Sequence, residues 1–178
     1  MRKWLIFFGV AAVIVVLDQF TKTLVANNML VYEQWMPLEF IRPHFTITYV
    51  QNTGAAFGIF QNGNLFFIVV GFIVVGFVLF FFAQLPEHSS WTLYATLGLM
   101  LGGALGNLTD RLTRGFVVDM FDAKFWPVFN IADSAIVVGA ILLVLLMWLE
   151  ERRAEAANDP EPPDSSPPEE EPSAVLPG

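Results

Sequence analysis

The amino-acid sequence predicts an all-α membrane protein, a four-transmembrane-helix bundle with a small β-cradle on one membrane face. Three observations lead to this fold class. Hydrophobic residues make up 55% of the 178 residues, charged residues make up 15%, and the mean hydropathy is +0.58, which is far from the composition of soluble domains. Four apolar stretches are long enough to cross a hydrocarbon layer of about 30 Å. One connection between them alternates apolar and hydroxyl residues, as a half-buried strand does.

The four apolar stretches cover residues 4–25, 65–85, 91–108 and 131–149. The first follows Met-Arg-Lys and could be taken for a signal peptide. However, its apolar part is too long, and Asp18 and Lys22 interrupt the region where a cleavage site would follow. We therefore expect this stretch to be retained as a span. Residues 86–90 alone separate the second and third stretches, so these two are predicted to form a helical hairpin.

Four spans place both termini on one membrane face and the first and third connections on the other. The basic residues are Arg2, Lys3, Arg152 and Arg153 on the first face and Arg42, Arg111, Arg114 and Lys124 on the second. Under the positive-inside rule this count is about balanced. On charge we place the termini on the cytoplasmic side.

The first connection, about residues 26–64, is long enough to contain structure of its own. Residues 45–50 read Phe-Thr-Ile-Thr-Tyr-Val and predict a strand. Residues 31–41 mix aromatic residues with Glu33 and Glu39, which is compatible with a second strand or with an interfacial segment. We expect a small sheet here, the β-cradle, within about residues 27–63.

The net charge of −8 belongs mainly to the C-terminal end, because nine of the 17 acidic residues lie within residues 150–178. Residues 154–178 also contain seven prolines, which predicts a disordered acidic tail after a membrane domain of residues 1–153. The nearly neutral body excludes nucleic-acid binding. The absence of cysteine excludes disulfides, thiolate chemistry and Cys-ligated metals, and His44 and His88 have no metal-like spacing.

Asp119 and Asp133 are the main candidates for chemistry. They lie 14 positions apart, on either side of the connection into the last span, and carboxylates at the edge of a hydrocarbon layer are costly. Two converging carboxylates can share a proton and activate water, as in aspartic proteases. Each also has a structural interpretation, since Asp119 could be an ordinary loop residue and Asp133 a first-turn residue behind an Asn130 cap. In that position the helix dipole favours a charged Asp133, so the shared proton is expected mainly on Asp119.

Other polar and small residues allow two interpretations. Asp18 and Lys22 are four apart on one helix face, either as an ion pair with Lys22 extended to the interface or as a support for the site. The loop of residues 52–58, with Asn52 and Gly54, is either a tight turn or a peptide-binding element. Residues 102–106 are predicted to pack helices closely. Asn107, Asp110 and Arg111 follow at the end of the third apolar stretch. They either terminate this span or bind the backbone of a substrate.

Five motifs in one order make a more specific pattern: LDQFTK (17–22), NTGAAFG (52–58), GGALGNLTDR (102–111), FVVD (116–119) and FNIADS (129–134). Together they resemble the bacterial lipoprotein signal peptidase (signal peptidase II) family, over about residues 4–149. The resemblance implies a four-helix bundle in the bacterial inner membrane with a small extracytoplasmic β-cradle. Both termini and the tail would be cytoplasmic, and the active site would lie near the extracytoplasmic face.

The resemblance also implies residue roles. Asp119 and Asp133 correspond to the catalytic aspartates, and Asp18 and Lys22 to a supporting pair. The positions that shape the site or bind substrate are Asn52, Gly54, Asn107, Asp110, Arg111 and Asn130. The implied substrates are diacylglyceryl-modified prolipoproteins, cut just before the lipidated cysteine, and globomycin-type compounds would inhibit. Membrane lipid is the remaining implied partner, and no metal or organic cofactor is implied.

Two other classes of protein would also place carboxylates in a membrane. A proton-coupled transporter would more often show internal repeats and broken helices, and a non-catalytic assembly factor would need no pair of aspartates. A presenilin-like protease is disfavoured because the chain has no GxGD element. A cleavage assay distinguishes the peptidase from the first two.

Overall fold

A computed structural model describes residues 1–54, 63–87 and 89–158. The elements in chain order are α1 (Arg2–Asn28), β1 (Gln34–Trp35), β2 (Thr46–Asn52), α2 (Asn64–Gln84), α3 (Trp91–Thr113), β3 (Val117–Asp122) and α4 (Ile131–Asn158). Helices therefore form at all four predicted apolar stretches. Three of them, α1, α2 and α4, are long and apolar enough to cross a membrane by length and composition.

Helix α3 lies at the centre of the bundle, where it packs against α1, α2 and α4. It has 23 residues, and more than half of them are buried. The other three helices instead expose large apolar side chains, such as Leu5, Phe20, Ile73, Phe77, Ile141 and Val144. A central helix needs little lipid-facing surface, which agrees with the absence of α3 from the described helices that suit a membrane crossing by length and composition.

The small-residue face of α3 permits the close approach of its neighbours, as predicted. A Cβ atom on Gly102 would lie 2.8 Å from the carbonyl oxygen of Ala11 on α1. A Cβ atom on Gly103 would overlap the carbonyl oxygen of Ala132 on α4. Because both obstacles are backbone atoms, side-chain rotation could not relieve the contact.

We expect Gly103→Ala to destabilise the protein by about 1–3 kcal/mol, because the added methyl group must push α4 away from α3. Gly9→Ala is the matched control, since nothing lies within 4 Å of a Cβ atom on this α1 residue. Thermal unfolding of both variants in the same detergent measures the difference. Equal midpoints for the two variants would contradict the close packing of α3 on α4.

The end of the bundle that carries the termini is identified by an ion pair. Lys3 Nζ lies 2.7 Å from Glu87 Oε1, so the start of α1 is beside the turn between α2 and α3. The Tyr94 hydroxyl donates to the Pro86 carbonyl oxygen at 3.0 Å and closes the predicted hairpin. The sheet follows the other end of α1, as the parity of the helices predicted.

The sheet has three antiparallel strands in the order β1-β2-β3. Strand β2 confirms the predicted strand, whereas the segment 31–41 contributes only the two residues of β1. Strand β3 was not predicted, because an aspartate inside a short apolar run gives no alternating pattern. It pairs with β2, with Val50 opposite Asp119 and Asn52 opposite Val117. The sheet thus extends beyond residues 27–63 and includes one of the two candidate aspartates.

Some predicted segments lie partly or wholly outside the described residues. Helix α4 continues to Asn158, past the predicted domain boundary at residue 153. The remainder of the predicted tail, residues 159–178, is outside the described part, as are His88 and residues 55–58 of the small-residue loop.

Candidate active site

Two different elements bring the candidate aspartates to one place. Asp119 lies in the middle of β3 and is 2% exposed. Asp133 lies in the first turn of α4 and is partly exposed. A strand that pairs with β2 and a helix that starts after a short connection therefore supply one carboxylate each. The site has a buried member and a more accessible member.

Asn130 connects the two carboxylates. Its Nδ2 donates to Asp119 Oδ1 at 2.8 Å, its Oδ1 accepts from the backbone N–H of Asp133 at 2.9 Å, and its own backbone N–H donates to Asp133 Oδ2 at 3.2 Å. The last two bonds form a reciprocal cap at the start of α4. The predicted Asn130 cap is thus confirmed, and the same fully buried residue also binds the other aspartate.

Two further asparagines complete the hydrogen bonding of the pair. Asn52 Nδ2 donates to Asp119 Oδ2 at 2.9 Å, and Asn107 Nδ2 donates to Asp133 Oδ1 at 2.7 Å. Each of the four carboxylate oxygens therefore accepts one N–H group. The Asn52 amide is itself held by the backbone N–H of Gly54, which donates to its Oδ1 at 3.0 Å.

The electrostatics of the two aspartates differ. Burial raises the pKa of Asp119 to about 7, and the negative charge of Asp133 acts in the same direction, while the hydrogen bonds from Asn52 and Asn130 oppose the rise. Asp133 lies in the first turn of α4, where it accepts from the backbone N–H of Asn130 and where the positive end of the helix dipole favours negative charge. One protonated and one ionised carboxyl group side by side can act as an acid and a base.

Lys22 is the centre of a buried charge cluster beside this pair. Its Nζ lies 2.8 Å from Asp18 Oδ2 and 3.2 Å from Asp110 Oδ2, and it donates to Asn107 Oδ1 at 2.9 Å. The predicted Asp18–Lys22 pair is confirmed. The interpretation that Lys22 extends to the interface is wrong, because the side chain is 0% exposed and three acceptors on α1 and α3 hold it inside.

The two aspartates of the cluster bind backbone next to the candidate pair. Asp18 Oδ1 accepts from the backbone N–H of Ala132 at 3.0 Å, one residue before Asp133. Asp110 Oδ2 accepts from the backbone N–H of Val118 at 3.0 Å, one residue before Asp119. The cluster therefore fixes the two segments that carry the pair, a role that spacing alone did not predict for Asp110.

Gln19 and Arg114 belong to this cluster and were not predicted. Gln19 Nε2 donates to Asp110 Oδ1 at 3.2 Å and to the Gly106 carbonyl oxygen at 3.1 Å. Arg114 Nε lies 3.5 Å from Asp110 Oδ1. Their sequence positions could have indicated this role, because Gln19 adjoins Asp18 and Arg114 is four residues after Asp110 on the same helix.

Arg111 lies on the side of the site that faces the loop after β2. Its Nη2 is 3.5 Å from the Gly54 carbonyl oxygen, and its guanidinium lies 5.1 Å from the centre of the Phe67 ring. It is within electrostatic range of Asp110, Asp119 and Asp133. The structure therefore brings the predicted residues together, with Arg111 and Gly54 at the margin.

An apolar groove opens directly from Asp133. Its volume is about 380 Å³, and its lining residues are Ala123, Phe125, Trp126, Phe129, Asp133, Ser134, Val137 and Val138. Phe125, Val137 and Val138 are exposed, so the groove runs from the carboxylate along the outer face of α4. A second cavity of about 430 Å³ lies between α1 and the sheet and is lined by neither Asp119 nor Asp133.

Comparisons with known proteins agree on one family. The family described as signal peptidase (SPase) II matches residues 10–149. The chain is 51% identical over 134 residues to the lipoprotein signal peptidase of Caldanaerobacter subterraneus subsp. tengcongensis, which covers 75% of this chain and 89% of that protein. It is 44% identical over 133 residues to the lipoprotein signal peptidase of Halothermothrix orenii, covering 75% and 88%.

Solved structures of bacterial membrane enzymes share this fold. A protein described as a bacterial membrane enzyme superposes with a TM-score of 0.71 at 29% identity, covering 86% of this chain and 90% of that chain. A second bacterial membrane enzyme gives a TM-score of 0.66 at 30% identity, covering 78% and 89%.

Proposed function

Because the chain belongs to the signal peptidase II family of proteases, we propose that Asp119 and Asp133 are the catalytic pair with which it removes signal peptides from prolipoproteins. The observation that carries this assignment is the placement of both carboxyl groups on one asparagine, Asn130. Family membership also decides against the transporter and the assembly factor.

The chemistry follows from the difference between the two carboxyl groups. Ionised Asp133 takes a proton from water, and the resulting hydroxide adds to the scissile carbonyl carbon. Protonated Asp119 gives its proton to the carbonyl oxygen, which becomes a hydroxyl group. When the tetrahedral intermediate collapses, the C–N bond breaks and the leaving nitrogen takes the proton held by Asp133. Asp119 regains its proton as the carbonyl re-forms.

The proposed membrane arrangement has four crossings, with α3 enclosed by the other three helices. Both termini are cytoplasmic, and the pair and the sheet lie at the extracytoplasmic face. The ion pair between Lys3 and Glu87 supports a common end for the N-terminus and the α2–α3 turn. At the membrane face, Asp119 and Asp133 can reach the scissile bond of a peptide whose lipid anchor remains in the bilayer.

The proposed substrate is a prolipoprotein whose cysteine carries diacylglycerol, and the bond cut is the one before that cysteine. The groove beside Asp133 supports this substrate, because an acyl chain attached near the cleavage site could lie on Val137 and Val138 while the peptide lies on the pair. Burial of apolar surface contributes about 0.8 kcal/mol per CH₂ group, so even a partly buried chain would orient the peptide. Globomycin-type inhibitors are expected to compete for the same site.

Incubation of the purified protein with a lipidated precursor and with its unlipidated form, in the same detergent, tests this function. We expect cleavage of the lipidated precursor alone. Equal rates on the two forms would contradict the proposed substrate, and no cleavage of either form would contradict the proposed function.

We expect Val138→Trp to reduce kcat/KM for the lipidated precursor by about tenfold, because the larger side chain fills the groove. Val144→Trp is the matched control, since Val144 is an exposed valine of the same helix that does not line the groove. The assay is a progress curve with each variant at equal protein concentration. A similar loss in both variants would remove the groove from substrate binding.

We expect kcat/KM to fall as pH rises through about 7, the pKa of Asp119, because only the protonated form can donate to the carbonyl oxygen. Well above that value, the fall should approach tenfold per pH unit, since each unit reduces the protonated fraction tenfold. Initial rates at low substrate concentration between pH 5 and 9, with protein integrity checked at each pH, measure this fall of kcat/KM on the alkaline side of the pH profile. A rate that stays constant from about pH 6 to 9 would exclude Asp119 as the acid.

A further inference from the structure

We infer that Lys22 fixes the direction in which the Asn107 and Asn130 side-chain amides face, and thereby how the catalytic aspartates share their proton. This inference rests on the proposed function. It makes Lys22 a positioning residue that acts through hydrogen bonds, in addition to its role as partner of buried carboxylates.

The first step is the contact between Lys22 and Asn107. A lysine ammonium group has only hydrogen-bond donors, whereas an asparagine side chain has an acceptor oxygen and a donor NH₂ group. Lys22 Nζ lies 2.9 Å from Asn107 Oδ1, and both groups are buried. The amide oxygen must therefore face Lys22, and the amide nitrogen is left to face Asp133, to which it donates at 2.7 Å.

The second step passes the direction on to Asn130. Asn107 Oδ1 also accepts from Asn130 Nδ2 at 3.1 Å. The same Nδ2 group donates to Asp119 Oδ1 at 2.8 Å and lies 3.3 Å from the Val118 carbonyl oxygen. Because the Asn130 side-chain nitrogen donates to Asn107 and Asp119, the side-chain oxygen faces the backbone N–H of Asp133.

The reversed arrangement is unfavourable because of Lys22. If the Asn107 amide turned over, its nitrogen would face the Lys22 ammonium and the Asn130 nitrogen, and its oxygen would face an Asp133 oxygen. Each of these is a contact between two donors or two acceptors in a buried place, where an unmet hydrogen bond is costly. A neutral residue at position 22 would remove the first of these conflicts, and also the charge that draws the amide oxygen.

The consequence is that each catalytic carboxylate receives a side-chain N–H group whose direction is set by one buried cation. Such hydrogen bonds favour the ionised form of a carboxylate. Among the described residues, the charged groups around the pair are Asp18 and Lys22 from α1, Asp110 and Arg111 from α3, and the two aspartates themselves from β3 and α4, while Arg114 pairs with Asp110. Strand β2 contributes Asn52, which is uncharged.

The test is the pH profile of kcat/KM in the double variant Asp18→Asn/Lys22→Met, which removes one buried charge of each sign. We expect both limbs of the profile to move to higher pH, by up to about one unit, because amides that are no longer held in one direction donate for less of the time to the ionised carboxylates. Asp18→Asn alone keeps the ammonium group, and its limbs should stay in place even if the rate falls. Unmoved limbs in the folded double variant would overturn the inference.

A cycle with Asn107→Leu separates this effect from the electric field of Lys22. If Lys22 acts through the Asn107 amide, Asn107→Leu should itself move the limbs, and adding Asp18→Asn/Lys22→Met should move them little further. Additive shifts would mean that the charge acts through space, and would contradict the role of the amides.

If the double variant does not fold, Asp18→Asn/Lys22→Gln replaces it, because glutamine can present either its oxygen or its nitrogen to Asn107. A smaller shift in the same direction is expected, because a neutral side chain that can face Asn107 with either group no longer fixes one direction of its amide, and limbs that stay in place would again overturn the inference. Failure of the proposed function is a separate result, since it would appear as absence of cleavage by the unaltered protein.

Discussion

Asp119→Asn and Asp133→Asn should each reduce kcat/KM for a lipidated precursor by about 10³-fold or more, because the reaction loses its only acid or its only base among the paired carboxyl groups. An asparagine has nearly the shape of an aspartate and keeps the apolar contacts of the site. Both variants should therefore insert, purify and unfold much as the unaltered protein does. Single-turnover cleavage with excess enzyme measures the loss without interference from product release.

Asp122→Asn provides the matched control for these variants. Asp122 also lies on β3, but it accepts hydrogen bonds from Thr48 and from Lys124 at 3.0 and 2.6 Å rather than facing the pair. Its replacement should leave cleavage within a few-fold of normal. If Asp119→Asn or Asp133→Asn cleaved as fast as Asp122→Asn, that aspartate would have no part in the mechanism.

Lys22→Met should destabilise the protein by about 3–5 kcal/mol, the usual cost of removing one partner from a buried ion pair. The change leaves Asp18 without its cation, and both residues are fully buried. It also removes a bond to Asp110, which holds the backbone before Asp119. Denaturant or thermal unfolding in detergent, together with the yield of folded protein, measures the loss.

Arg42→Met is the comparison for this variant, because Arg42 pairs with Glu39 where the two side chains are 52% and 79% exposed. Such exposed pairs contribute about 0–1 kcal/mol, so its stability should hardly change. A Lys22→Met variant as stable as Arg42→Met would mean that the cluster around Lys22 does not hold the site together.

The helices could be predicted from sequence because membrane crossing imposes a length and a composition that are visible locally. The same argument explains why α3 departs from the pattern. Its neighbours shield it from lipid, so glycines such as Gly102 and Gly103 replace large apolar residues there. Strand β2 was predictable because one of its faces is buried and its residues alternate.

The convergence of the two aspartates could not be derived from their spacing. It depends on β3, whose pairing with β2 is a long-range contact between residues such as Val50 and Asp119. A strand buried on both sides shows no alternation, and an aspartate within it makes the segment look like a loop. The five motifs indicated these residues through family resemblance, and the structure shows that Asn52, Asn107 and Asn130 bind the two aspartates.

One of the two interpretations of Lys22, the extension of its side chain to the interface, was wrong for a related reason. Seen along one helix, a lysine near the end of a span has an easy route to the interface. Its acceptors Asp110 and Asn107 lie on another helix, more than 80 residues later in the chain. Only the packing of α1 on α3, permitted by glycines such as Gly102 and Gly106, brings them close enough to hold the ammonium group inside.

Mass spectrometry of the two products, formed from a diacylglyceryl-modified precursor in ¹⁸O-labelled water, tests the central claim most directly. We predict a protein product that begins with the lipidated cysteine and a signal peptide whose new carboxylate carries one labelled oxygen. Neither product should form with Asp119→Asn or Asp133→Asn. Cleavage at another bond, or the same products from either variant, would contradict a water-activating pair of Asp119 and Asp133.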